Sequence, residues 1–572
     1  MEDDRMLKKT LALVLALIML MATMVGCSTK KTNLGSDSSG TKNTTAATST
    51  DADEEDPDTE TESESESESE LDAAISKDTI DLTANPDITV DDTSPYEELT
   101  IEQLLDPDSF QGSDIPDDRD YGGYEFKVLS DTLCSRFEFV SQSDGDLIKD
   151  AVINREKWIE EYVGIEFIVS EMEGGYYAMD GFIAEIEAAS GAGSPYDIVL
   201  AWSLIPPVVA AKGLSRDLAE SENLNLYNTT KEYWGKEIKK EIMVGGRIFW
   251  MSDNSSWLSV RQLLCIFVNT EYFSKVNPTM DKFDLYEMVD NGVWTMENML
   301  LLIQNAYENT NIGDEKTDGV DNGDMFGLQA STAYYDTDNW LFAAGLRYTK
   351  LNSRGSYEWT LDDQNVINFI DWWQKQLLEN ENIDVVDADR KMFRDGRAMF
   401  AQASIRIIEE GIEHDFTVLP LPLYDANIKN GYSTPFSIDY TSWLIPKATK
   451  SEAFERSATV LELLAAEGNR RLAPVYFEIY LKRQVASNDE DMRRMFNIIR
   501  NSIVFDMGYL YGSILTYERP DEAGYEEVFI ALRRVWSGNG TGVYGNMSTL
   551  WAGMKSGVTK KLNNLMVDIL DY

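Results

Sequence analysis

The chain has 572 residues, with 100 acidic side chains against 50 basic ones and a formal net charge of −50. That balance argues against nucleic acid as a ligand and against an anionic membrane surface, because like charges repel within a Debye length. One imidazole, His414, excludes zinc sites built on two histidines, and Cys27, Cys134 and Cys265 cannot make a disulfide framework. With 13 Trp and 27 Tyr the composition is aromatic-rich and histidine-poor, which points to binding rather than chemistry. The length predicts more than one core, since single cores stop growing near about 250–300 residues.

Lys8 and Lys9 precede an apolar run from Leu11 to Val25 that ends at Gly26-Cys27. A basic stretch, a short apolar stretch and a small residue before the cut describe a secretory signal. The run is shorter than the ~20 residues a bilayer core requires. Glu2, Asp3 and Asp4 fit such a signal poorly, so both Met1 and Met6 are candidate starts. Met24-Val25-Gly26-Cys27 resembles the lipobox of bacterial lipoproteins, which implies lipidation of Cys27 as the mature N-terminus and residues 1–27 as a lipoprotein signal peptide. Residues 28–118 are dominated by Ser, Thr, Asp and Glu, with a Glu-Ser alternation from Glu62 to Glu70. That composition predicts a disordered acidic tether, spanning roughly 50 Å as a flexible coil, with a short amphipathic helix near Glu97–Leu105 that docks on the domain.

The globular pattern begins near Tyr121. Tyr124–Leu129 alternates as a strand; Leu147, Ala151, Trp158 and Tyr162 recur at helical spacing, and Gly164 stands where a helix ends. Ile165–Val169 reads as a strand, Phe182–Ala189 as a helix and Asp197–Ala201 as a short buried strand. This alternation predicts a parallel sheet covered on both faces, with ligand contacts beyond the strand ends, where Trp202-Ser203 falls. Strands are expected at Ile248–Met251, Leu263–Val268, Ala398–Phe400, Phe416–Leu419 and Tyr440–Ile445. Helices are expected at Met296–Tyr307, Val366–Leu378 and Phe454–Ala466, the last ending at Gly468, with a final helix carrying Trp551, Val558, Leu562, Met566 and Ile569. No internal repeat occurs, and the fold class is α/β.

Several segments, in this order, resemble the family 1 extracellular solute-binding proteins that serve ABC sugar importers. They are Pro195–Trp202 with Gly213–Leu218, Trp294-Thr295 with Glu297, Phe326–Gln329 with Gly345, Phe393–Phe400, Phe416–Pro422 and Tyr440–Pro446. The resemblance covers about 121–572. It implies a two-lobe periplasmic-binding-protein-like fold with crossing hinge strands, in a solute-binding domain of residues 119–572. Lobe 1 would comprise about 121–258 and 443–487, and lobe 2 about 262–438 and 488–572. The implied ligand-binding residues are Trp202, Asp253, Tyr334, Tyr335, Arg406 and Tyr440, since sugars need aromatic platforms and planar polar partners. The resemblance further implies a lipid-anchored monomer on the outer face of the cell, in a Gram-positive envelope or a diderm periplasm. Such a receptor hands a carbohydrate or other small solute to ABC permease subunits and has no catalytic residues, metal or cofactor.

Other motifs carry less. Gly540–Gly545 matches G-x-G-x-x-G but follows no clear strand, and Asp314–Asp324 puts Val320 and Gln329 where a calcium loop needs carboxylates. Cys134 and Cys265 could pair outside a cell. Two alternative functions are a secreted glycoside hydrolase, which needs two carboxylates flanking a bond, and a sensory or adhesive surface protein. Product release separates the hydrolase from a receptor, which returns its ligand intact.

Overall fold

The computed structural model describes residues 80–571 except 95, 144, 192, 227–230, 232, 254, 311–322, 332–335, 386–389, 425–430, 519–524 and 537–545. All of them belong to one compact unit, Asp72–Tyr572. Cys27, Tyr334, Tyr335 and Gly540–Gly545 lie outside the described residues.

The first sheet is built by βαβ logic. Strand β1 (Tyr124–Asp131) leads through the short helix Thr132–Glu138 to the helix Leu147–Val163, whose Asp146 side chain caps the first turn and whose end is turned by Gly164 at φ 64°. Only a residue without a Cβ adopts that left-handed angle freely. The chain returns as β2 (Ile165–Met172), paired parallel to β1 from Tyr124 opposite Ile165 onward. The helix Met179–Gly191 then leads to β3 (Ile198–Trp202), on the other side of β1. All five residues of β3 are buried, as a strand covered on both faces requires.

The second sheet has the order β10-β4-β9-β5-β8, with β4 (Leu264–Asn269), β5 (Phe326–Ala330), β8 (Ile383–Val385), β9 (Ala398–Ser404) and β10 (Phe416–Leu419). β5 pairs parallel with β8 and β9, whereas β4 pairs antiparallel with β9 and β10. A hairpin of β6 (Thr349–Leu351) and β7 (Tyr357–Trp359) lies between β5 and β8 in the chain. The C-terminal part adds β13 (Ile503–Val504), the hairpin of β14 (Thr516–Glu518) and β15 (Tyr525–Glu527), and helices Val528–Trp536 and Met547–Asp571. Trp551, Val558, Leu562, Met566 and Ile569 are all buried on that last helix.

Three segments join the lobes. The first is the short helix Trp257–Arg261, leading into β4. The second runs from β11 (Thr434–Pro435), paired with β13, to β12 (Thr441–Leu444), which completes the first sheet antiparallel to β3 with Thr441 opposite Trp202. These two lie side by side: Ser437 N–H donates to Gln262 O at 2.8 Å and Thr441 N–H to Ser259 Oγ at 3.2 Å. The third leaves the helix that begins at Ser451 and enters Glu490–Asn501, whose preceding Asp489 accepts from Lys282 and Tyr286 of lobe 2. The fold is therefore a two-lobe α/β architecture with crossing hinge segments.

Four expectations are corrected. Residues 80–118 are not a disordered tether: Ile80, Tyr96, Leu104 and Ile115 are buried, and Thr100 and Gln103 form a capping box on the helix Ile101–Leu105. Widely spaced apolar anchors in an acidic run leave the composition polar while still docking the backbone. Ile248–Met251 is buried but forms no strand; only Met251 bridges to Trp443. The helix at Met296 stops at Leu302. The helix Ser451–Glu467 does not end at Gly468, which keeps φ −59° and continues as a wide π-helical segment through Pro474–Val485. Glycine stands there for space, because a Cβ would meet Ser255 Oγ at 2.4 Å.

Beneath the first two crossings lies a buried ion pair. Arg155 Nη1 donates to Glu138 Oε2 at 3.2 Å, and the same carboxylate accepts from Ser256 Oγ, the N-cap of the first crossing helix, and from Thr441 Oγ1 at 3.4 Å. Burial raises the Glu138 carboxyl above its usual range, opposed chiefly by Arg155. Cys134 and Cys265 are both buried and unpaired.

Candidate functional site

The three parallel strands of the first sheet end together. Asp131 closes β1, Glu173-Gly174-Gly175 follows β2, and Trp202-Ser203 closes β3. In open α/β sheets the carboxyl ends of the strands define the ligand crevice. Asp131 caps the next helix by accepting from Leu133 N–H at 2.9 Å, and burial raises its carboxyl above the usual range. The chain approaches it closely at Gly174, where a Cβ would meet Asp131 Oδ2 at 2.4 Å.

Trp202 is 3 % exposed and carries the centre of the site. Its indole N–H donates to Asp439 Oδ1 at 3.0 Å, and the neighbouring Ser203 hydroxyl donates to Ile438 O. The end of β3 is thus bonded to the segment that crosses between lobes. Tyr176 meets Trp202 edge to face with centroids 6.4 Å apart, and Tyr177, 91 % exposed, meets Tyr176 at 5.3 Å. Burial raises the Tyr176 phenol, and the charge of Glu527 on β15 adds to the rise.

A group of charged residues belongs to the second sheet and the helix after β5. Arg406 follows β9, ion-pairs with Glu410 at 3.1 Å and donates its N–H to Arg261 O at 2.8 Å. Asp336 begins the helix Asp336–Ala343 and pairs with Arg390 at 3.1 Å; Gln402 Nε2 donates to Asp336 O at 3.1 Å. Arg390 sits at φ 55°, a left-handed angle that only surrounding contacts sustain in a non-glycine residue. Asp439 is half-buried among these groups. Burial raises its carboxyl, the Trp202 indole and Arg406 oppose the rise, and Asp336 adds to it.

Of the residues expected from the sequence, Trp202 bonds directly to Asp439, and the charge of Arg406 opposes the rise of that carboxyl. Asp253 does not join them: it is 5 % exposed, and its carboxylate accepts from Ser255 N at 2.9 Å, Ser255 Oγ at 2.5 Å and Trp443 Nε1 at 3.2 Å. With both oxygens engaged, it fastens the loop after Met251 to β12. Tyr440 points into an apolar cluster with Phe436 at 5.3 Å and Phe505 at 6.1 Å, beside a cavity of about 10 Å³. Its hydroxyl makes no hydrogen bond there, and burial raises its pKa. Sequence reasoning missed Asp439, one residue before the named Tyr440. It also missed Asp131 and Tyr176, which the strand-end argument reaches once it is applied to β1 and β2 as well as to β3.

Two further residues singled out in the sequence make contacts within the fold. His414 is half-buried, with one ring nitrogen at 2.6 Å from Phe393 O. Asp324 accepts from Tyr307 Oη at 3.1 Å and Thr310 N–H at 3.1 Å, while residues 311–322 of that loop lie outside the described residues. Among the described residues no group of three His, Cys, Asp or Glu side chains is placed to hold a metal, and no helix is long and apolar enough to cross a membrane.

No protein-family model and no curated protein matches the chain. Solved structures similar to it include the cyclic α-maltosyl-1,6-maltose binding protein from Arthrobacter globiformis, at 11 % identity over 78 % of this chain and 99 % of that one, with a TM-score of 0.49. A second is the galacto-N-biose/lacto-N-biose I-binding protein of the ABC transporter from Bifidobacterium longum, at 12 % identity over 78 % and 98 %, with a TM-score of 0.48. A third is the maltose/maltodextrin-binding domain MalE from Bdellovibrio bacteriovorus, at 12 % identity over 78 % and 100 %, with a TM-score of 0.46.

Proposed function

We propose that the chain is a non-enzymatic receptor that captures a carbohydrate or another small hydroxyl-bearing solute between its lobes and closes on it by movement about the crossing segments. The observation that carries this reading is the Trp202–Asp439 hydrogen bond, which sets an aromatic ring and a carboxylate at the strand ends of one lobe and on a crossing segment. A sugar presents apolar ring faces rimmed by hydroxyls, so an aromatic group beside a carboxylate matches its chemistry. Trp202, Tyr176, Asp439 and Arg406 are the residues assigned to the solute, with Tyr334 and Tyr335 following β5. Contacts from both lobes would stabilise the closed state by the difference in affinity between open and closed forms.

In the same reading Cys27 is lipidated, residues 28–79 form the spacer above an outer membrane face, and a monomer delivers its solute to ABC permease subunits. The test is intrinsic Trp fluorescence and melting temperature of the purified chain against a panel of oligosaccharides, with chromatography of each ligand afterward. A saturable shift with intact ligand supports the receptor. Shortened ligands would establish a glycoside hydrolase instead, and no shift with any sugar would remove carbohydrate as the solute.

A further inference from the structure

Residues 80–118 run from one lobe to the other. On lobe 2, Asn85 N–H donates to Asn291 O at 2.8 Å, Ile88 packs where Gly292 leaves room, and Asn497 and Asn501 donate to Asp92 O at 2.9 Å and Thr93 O at 2.8 Å. The segment then follows the π-helical connection. Ser94 Oγ donates to Glu478 at 3.2 Å, Arg500 lies over both Tyr96 and Phe477, and Arg483 donates to Leu99 O at 2.5 Å. On lobe 1, Arg470 donates to Pro107 O at 2.9 Å, Lys231 ion-pairs with Asp114 at 2.7 Å, and Tyr162 Oη donates to Ile115 O at 2.8 Å.

We propose that this segment is a strap which, fastened to both lobes beside their third connection, limits how far the lobes open and so holds the empty receptor near its binding-competent form. Separate lobe motions are the default for two-lobed folds, and a further tie between the lobes restricts them. The lobe-2 anchors end at Tyr96, beneath Arg500, and the span from there to the lobe-1 anchor at Pro107 is itself pinned at Leu99, which leaves little slack. Charge fits the role, since an acidic segment meets Lys231, Arg470, Arg483, Arg494 and Arg500, basic residues gathered from both lobes in a chain of net charge −50. A population argument sets the consequence: apparent affinity falls in proportion to the loss of the competent fraction.

The experiment adds slack without removing an anchor. Twelve Gly-Ser residues are inserted between Leu105 and Asp106 of the full chain, and the same insertion between Ala73 and Ala74 serves as control. Cysteines at the exposed Lys212 and Lys375, in a Cys27→Ser background, report the distance between lobes in the empty chain. The slack strap is expected to broaden and lengthen that distance and to weaken affinity for a solute found in the panel about fivefold, while the control leaves both unchanged. Asp108→Asn with Asp114→Asn, which loosens the lobe-1 end, is expected to shift the distance the same way and decides the matter if the insertion fails to fold. An inter-lobe distance unchanged in the folded variants overturns the proposal. The distance measurement requires no ligand, so it stands apart from the identity of the solute.

Discussion

The indole nitrogen of Trp202 and the carboxylate of Asp439 are 3.0 Å apart, joining the last residue of β3 to the segment that crosses between the lobes. Trp202→Phe keeps the ring and removes the donor. Titration of the panel solute is expected to show an affinity about 10- to 150-fold weaker, the range for losing a hydrogen bond to a charged group. Because burial raises the Asp439 carboxyl, binding that uses its ionised form is lost as pH falls, at a pH above the usual carboxylate range. Asp439→Asn should flatten that acid limb.

Glu156 gives a second pH dependence, this time of stability. Burial raises its carboxyl from 4.5 to about 8, with Glu160 adding to the rise and Arg155 opposing it. A carboxyl whose folded pKa is raised binds its proton more tightly folded than unfolded. Its contribution is therefore largest below about 4.5 and falls as pH rises toward about 8. Denaturant unfolding of Glu156→Gln is expected to show little change at pH 5 and a gain of order 1–2 kcal/mol at pH 8. An equal effect at both pH values would contradict this.

Removing one partner of the Glu138–Arg155 pair leaves a charge buried beneath both adjacent crossings. Arg155→Met is expected to destabilise by about 3–5 kcal/mol, and pairing it with Glu138→Gln should recover part of that loss. A double-mutant cycle measures the coupling.

Gly468→Ala tests the reading of the long helix. The added methyl would meet Ser255 Oγ at 2.4 Å, and that hydroxyl is held at 2.5 Å by Asp253. Overpacking of this kind costs about 1–3 kcal/mol, so a lowered melting temperature with unchanged helix content is the expected result.

The elements most legible in the sequence were those that local rules decide. Apolar spacing and Gly164 set the bounds of Leu147–Val163, and the buried run at Ile198–Trp202 placed a central strand. Gly468 misled because glycine serves both helix ends and close packing, and only the neighbouring Ser255 separates the two. Ile248–Met251 is strand-like in composition but buried in an irregular stretch where tertiary contacts replace a ladder. The docked helix Ile101–Leu105 is legible in the sequence, whereas the rest of residues 80–118 is not, because Ile80, Tyr96 and Ile115 are too far apart to make a period. At the site, Trp202 followed from the strand-end rule. Asp439 became visible only when the crossing segment was folded against β3.

The lobes are interleaved along the chain. The first sheet waits for β12 at Thr441–Leu444 to cover β3, and the second lobe waits for the helices after Glu490. Neither lobe can finish its core while the ribosome is still adding the first four hundred residues, and pairings of such long range form slowly. Neither core can therefore close until most of the chain has been made.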